Sequence, residues 1–174
     1  MWSQIRFTLD EDGTLTYTSF AYERRAHDWN ILKDFDPTRD VIPIPDALFC
    51  ITIDTESTPS SVFTRHKTSR RPHYDAARAR ARILDRNDKK ETILWNSEGE
   101  VTEGTYTNVY FWRDSGWVTP RKESGCLPGI ARAWLLENGH AREGTIRRDE
   151  IFDGEIVLLS NALYVAQLGQ VQLE

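Results

Sequence analysis

Tight turns cut the second half of the chain into short apolar runs, and that spacing belongs to a sheet of short strands. Glu91 to Trp95 reads as a strand, Asn96 to Glu100 turns around Gly99, and Tyr106 to Arg113 forms the next run. Asp114-Ser115-Gly116 reverses the chain into Trp117 to Thr119. Thr145 to Arg148 and Glu155 to Ser160 read as further strands, with a helical turn at Asp149 to Phe152 between them. One helix interrupts the series: Gly129 to Glu137 follows Pro128 and stops at Asn138-Gly139.

The first half follows the same logic with less regularity. Gln4 to Leu9 and Thr14 to Phe20 alternate around the turn Asp10-Glu11-Asp12-Gly13, which predicts a hairpin. Residues 23–46 are charged and Pro-containing and read as a long connection, and Ala47 to Asp54 reads as a strand. Ser57 to Ser61, with Pro59 inside it, breaks the chain and divides it into a short N-terminal β segment, residues 1–60, and a larger domain, residues 61–174. Arg71-Pro72 opens a helix whose apolar face carries Tyr74, Ala77, Ala81 and Leu84, while Arg78, Arg82 and Arg86 form a basic stripe read as solvated.

Composition limits the partners. Six Trp, six Tyr and seven Phe supply burial that a disordered chain lacks, and a net charge of -5 gives no electrostatic footprint for nucleic acid. The longest apolar runs, such as Ile156 to Leu159, are too short to cross a bilayer, and Met1-Trp2-Ser3-Gln4 lacks the order of a secretory signal. Cys50 and Cys126 make no disulfide framework and have no metal-ligand spacing, so the expectation is a reduced, cytoplasmic protein without a metal.

Four local features carry chemistry. Val62 to Thr68 reads as an apolar strand that delivers Lys67 just before the Pro72 helix. A lysine held in a low-dielectric site beside other cations loses its proton more readily and becomes a nucleophile. In Asn96 to Asn108 three glutamates surround a tight turn, and Glu103 stands where the chain re-enters the sheet; buried there, it needs a cationic partner. Gly125 to Arg132 is a glycine-bearing loop running into a helix, whose free N–H groups and dipole suit an anion. At Leu158-Leu159-Ser160-Asn161 a strand ends in small polar side chains able to cap a phosphate or the local backbone.

In this order, "FTRHKTSRRPHYDAARARA", "NSEGEVTEGTYTNVYFW" and "SGCLPGIAR" resemble the fold-type IV pyridoxal-phosphate enzymes, the class IV aminotransferase superfamily, and in particular fungal aminodeoxychorismate-lyase-like proteins. The resemblance implies an α+β fold: a mixed β-sheet or pseudo-barrel large domain with flanking helices, as in D-amino-acid-aminotransferase-like enzymes, preceded by a shortened N-terminal β segment. It implies pyridoxal 5'-phosphate as cofactor, with Lys67 as the catalytic lysine that attaches it and moves protons at the substrate carbon. Glu103 would pair with the protonated ring nitrogen. The N–H groups of Ile130 and Ala131 would hold the phosphate, with Ser160 and Asn161, and Tyr74 would meet the ring hydroxyl. Thr107 and Asn108 would order their strand.

The activity it implies is a lyase that releases pyruvate from aminodeoxychorismate to give p-aminobenzoate. The alternatives are an aminotransferase of the branched-chain or D-amino-acid type, or a shortened non-catalytic relative that binds a partner. Either enzyme takes a small amino-acid-like substrate and is expected as a homodimer, away from membranes and nucleic acid. Three departures stand out. The arginine that such proteins place on the phosphate has no match among Arg6, Arg24, Arg25 and Arg39, as if the N-terminal part were truncated. Ala131 replaces a common threonine, and Leu163-Tyr164 stands where lyase-like relatives have Arg-Gly.

Overall fold

The computed structural model describes residues 2–22, 35–41, 48–85, 88–163 and 166–173. Most of the connection expected over residues 23–46, with Arg24 and Arg25, lies outside that set, as do Arg86 and Tyr164.

The predicted hairpin forms from β1 (Trp2–Leu9) and β2 (Leu15–Tyr22), paired antiparallel from Trp2↔Tyr22 to Leu9↔Leu15. Its turn is local chemistry: Asp12 Oδ1 accepts from Thr14 N–H at 2.9 Å, and Gly13 takes φ 84°. One face carries Ile5, Phe7, Leu9, Leu15 and Tyr17, all exposed.

The other strands build one eight-stranded mixed sheet. In chain order they are β3 (Phe49–Ile53), β4 (Lys90–Trp95), β5 (Val101–Gly104), β6 (Asn108–Arg113), β7 (Gly116–Pro120), β8 (Arg142–Gly144), β9 (Ile156–Ser160) and β10 (Gln167–Val171). The spatial order is β5-β4-β3-β10-β9-β6-β7-β8, with parallel pairs at β3–β4, β3–β10 and β7–β8. The sheet curls until its two ends meet: Val101 N–H donates to Ile146 O at 2.8 Å, and Glu100 bridges Arg147. This is the expected pseudo-barrel. The division expected at residue 60 falls after β3, a strand in the middle of the sheet, so the Pro59 break is the turn leading out of β3.

Period-two alternation sends one set of side chains inside the curl and the other outside. Val109 and Phe111 of β6 join Val157 and Leu159 of β9, Ile51, Ile93 and Val118 in the inner core. Tyr110, Trp117, Leu158 and Leu168 face the other way and pack with Leu135 of α3 (Ile130–Glu137). Burying each such side chain contributes on the order of 1.5–3 kcal/mol.

α2 (Pro72–Arg80) covers β4 through Tyr74, Ala77 and Leu94. Arg80 ties its last turn to the end of β3, its Nε and Nη2 donating to the two Asp54 carboxylate oxygens at 2.7 Å each. The helix is shorter than its apolar spacing predicts. Arg82 turns the chain at φ 52° and leaves Leu84 92% exposed rather than on the packed face. Of the basic stripe, Arg82 is exposed as expected, whereas Arg78 is largely buried, with its guanidinium 4.5 Å from the Tyr106 ring centroid.

Two further expectations change. The strand predicted over Val62 to Thr68 is instead one helical turn, α1 (Val62–Arg65). Ser61 Oγ accepts from Phe63 N–H at 3.2 Å, while Thr64 Oγ1 accepts from Ser61 N–H at 3.1 Å, and this reciprocal cap outweighs the β-propensity of the run. The strand predicted at Thr145 to Arg148 lies earlier, at β8, and the helical turn that follows is a 3-10 turn at Arg148–Glu150.

Candidate functional site

β5 delivers Glu103 to the inner end of the site. Its side chain is buried, and its Oε1 accepts from the Tyr74 hydroxyl at 2.5 Å and from Leu127 N–H at 3.2 Å. Burial pushes the Glu103 carboxyl up to about 7, against the opposing pull of the Tyr74 and Leu127 donors and the more distant Arg71 charge. The same burial, with Glu103 beside it, raises the Tyr74 phenol far above its ordinary value. Tyr74 therefore comes to this site as the donor to Glu103, a different partner from the ring hydroxyl expected for it.

Arg71 sits at the start of α2 and packs on this cluster. Its guanidinium carbon lies 3.9 Å from the Tyr74 ring centroid, and its Nη2 donates to Thr105 O at 2.9 Å. At the same strand connection, Glu91 of β4 is fully enclosed and accepts from the backbone and hydroxyls of Thr105 to Thr107. Neither residue stood out in the sequence reading. Glu91 carried a signal there: it is an acid inside the buried run Glu91 to Trp95.

The loop that brings Leu127 to Glu103 continues into α3. Gly129 is the N-cap, and no side chain caps the helix, so the first N–H groups face outward without a partner from the helix itself. Glycine is required there by space, because a Cβ would lie 2.3 Å from Asn108 Oδ1. Asn108, at the start of β6, holds the loop in place through its Nδ2, which donates to Leu127 O at 2.8 Å. Ala131 is buried and Ile130 is 78% exposed. Arg132 turns away from the helix start, donating through Nη2 to Pro120 O at 2.8 Å and to Glu143.

Ser160 pairs with Asn108 across β9 and β6, which places the two strand ends together beside this loop. The Ser160 hydroxyl is fully buried and shares a 2.8 Å hydrogen bond with Tyr110, and Asn161 Nδ2 reaches Tyr106 O at 3.3 Å. Both side chains thus bond to the protein itself rather than standing open as phosphate caps. Lys67 is exposed on the segment between α1 and α2.

The residues at the inner end fit the ring of pyridoxal phosphate. Glu103 is a buried carboxylate whose two donors are neutral, and a protonated ring nitrogen is a cation that would compensate it. The uncapped start of α3 fits a phosphate.

The class IV amino-transferase family model matches residues 34–168, which is most of the sequence. The chain belongs to this family. A candidate aminodeoxychorismate lyase of Schizosaccharomyces pombe is 34% identical over 150 residues, covering 77% of this chain and 61% of that protein. The aminodeoxychorismate lyase of Saccharomyces cerevisiae is 32% identical over 137 residues, covering 70% of this chain and 37% of that one. The chain thus spans under two thirds of the length of either relative. Among solved structures, a candidate amino-acid aminotransferase of Mesorhizobium loti superposes with a TM-score of 0.74 at 29% identity, over 97% of this chain and 72% of that one. Class IV membership and the curled mixed sheet agree with the fold expected from sequence. Among the described residues no helix is long and apolar enough to cross a membrane.

Proposed function

We propose that this class IV chain binds pyridoxal 5'-phosphate and acts as a lyase of the aminodeoxychorismate type, releasing pyruvate and leaving p-aminobenzoate. The observation that carries the reading is Glu103, a buried carboxylate with neutral donors, next to a loop that ends in an uncapped helix start. Bound there, the cofactor supplies an electron sink for the substrate carbon. Glu103 holds the proton on the ring nitrogen that makes the sink strong. The N–H groups of Ile130 and Ala131 bind and orient the phosphate, while Ser160 and Asn161 brace the strand end beside them. Lys67 attaches the cofactor and moves the proton at the substrate carbon.

The lyase reading rests on the two fungal relatives, which share 34% and 32% identity with the chain. A transaminase on the same site is the second reading, supported by the Mesorhizobium loti structure at 29% identity. Either enzyme would take a small amino-acid-like substrate, and we propose a cytoplasmic homodimer, for which light scattering reads the mass.

Absorption spectra of the purified chain titrated with pyridoxal phosphate test the site. A saturable absorbance band that neither the chain nor the free cofactor shows alone is the expected result. Its absence would leave a non-catalytic relative that serves as a binding protein. Formation of p-aminobenzoate supports the lyase, and keto-acid-dependent amine exchange without it supports the transaminase.

A further inference from the structure

Two buried carboxylates stand on either side of Gly104, and only one of them is used by the reading above. Glu91 is 1% exposed and meets five donors. Its Oε1 accepts from Thr92 N–H at 3.0 Å, Thr105 N–H at 2.8 Å and Thr105 Oγ1 at 2.6 Å. Its Oε2 accepts from Tyr106 N–H at 3.0 Å and Thr107 Oγ1 at 2.9 Å. All five donors are neutral, and four belong to the three residues that join β5 to β6.

A buried carboxylate is an expensive way to brace a turn, because removing the charge from water costs several kcal/mol, on the order of the gain from its hydrogen bonds. What the arrangement achieves is rigidity at one place. The braced turn begins directly after Glu103 and Gly104, and its other end is Asn108, which holds the loop carrying Leu127. Gly104 lets the two come this close: a Cβ there would lie 2.8 Å from Glu91 Cδ and 2.6 Å from Thr107 Oγ1.

We infer that Glu91 is a positioning residue for Glu103: it fixes the Thr105–Thr107 turn so that the Glu103 carboxylate is presented to a cationic ring nitrogen in one place. The inference rests on the cofactor reading for its purpose, but the coupling between the two carboxylates belongs to the chain alone. Around Glu103 stand Tyr74 and Arg71 from the α2 side, Cys126 and the Leu127 N–H from the loop before α3, and Glu91 behind it.

The test is a double-mutant cycle of Glu91→Gln and Glu103→Gln in the full chain, read by affinity for pyridoxal phosphate. Gln keeps the volume of Glu91 but turns an NH2 group toward donors that need an acceptor. Glu91→Gln is expected to weaken binding about tenfold in the wild-type background, which is about 1.4 kcal/mol, and less than about twofold when residue 103 is Gln. An equal loss in both backgrounds, or no loss in either, overturns the inference. A second measurement, the carbon-13 titration of the Glu103 carboxyl in cofactor-free protein, separates the two readings. If wild type binds no cofactor, the proposed function fails, and this titration decides for Glu91: a lowered midpoint in Glu91→Gln supports the coupling and an unchanged one overturns it. Should Glu91→Gln not fold, Thr107→Val removes one of the five donors and runs the same cycle.

Discussion

The Tyr74 hydroxyl donates to Glu103 Oε1 at 2.5 Å, joining the helix that covers β4 to the carboxylate at the end of β5. That bond is one of the few forces holding Glu103 ionised against its burial. Tyr74→Phe keeps the packing and removes the donor. The midpoint of the Glu103 titration, followed by carbon-13 NMR, is expected to rise above its wild-type value of about 7. Stability at pH 8 should fall by about 1.5–3 kcal/mol, the range for a hydrogen bond to a charged group. At pH 5, where the carboxyl is protonated, the loss should be smaller. A uniform loss at both pH values would show that the hydroxyl does not act on the charge of Glu103.

Glu103 also gives the cofactor-free protein a definite pH dependence. Its carboxyl is raised from the ordinary 4.5 to about 7, so the folded chain binds that proton more tightly than the unfolded chain does. The sign follows from linkage: the group's stabilising contribution is full below the unfolded value and is lost as pH rises through the folded one. Between those limits the loss amounts to about 3 kcal/mol. Glu103→Gln, which cannot titrate, should flatten the fall in Tm across this window relative to wild type. Parallel Tm curves for the two proteins would contradict the raised carboxyl.

These relationships were legible in the sequence to different depths. The β1–β2 hairpin and the β6–β7 pair were visible because alternation and the Asp12-Gly13 and Ser115-Gly116 turns are local. β10 was not, because Gln167 to Val171 offers little alternation; Gly169 matters there only because Ile51 Cγ1 would lie 2.6 Å from a Cβ. α1 was misread as a strand because Val62-Phe63-Thr64 is apolar and β-branched, and only the Ser61–Thr64 cap shows what the backbone prefers. Glu103 stood out by its place at the sheet entrance. Arg71 could not, since its role depends on a ring three residues along the helix and on a carbonyl of another strand connection.

The start of α3 depends on one close approach. Gly129→Ala would press a methyl group onto Asn108 Oδ1, which lies 2.3 Å from the ideal Cβ position. Asn108 is buried and tied to Leu127 O, so it has little room to yield. We expect a cost of about 1–3 kcal/mol in urea unfolding, together with weaker phosphate-ester binding. Asn108→Ala should remove the clash, so that the double variant loses less than the sum of the two single ones. Strict additivity would mean the two residues do not press on each other.

Lys67 is exposed on the segment between α1 and α2, and so are Lys89, Lys90 and Lys122. Exposure therefore does not choose among them, whereas chemistry does. A lysine that attaches the cofactor in a built site should react at low, near-stoichiometric pyridoxal phosphate, while a surface lysine needs an excess. Borohydride reduction at one equivalent, followed by peptide mapping, is expected to place the label on Lys67. Lys67→Ala should abolish that label and leave the unfolding free energy within about 0.5 kcal/mol of wild type, as for other exposed positions. Label on Lys89, Lys90 or Lys122 at the same stoichiometry would move the attachment point, and with it the whole orientation of ring and phosphate between Glu103 and α3.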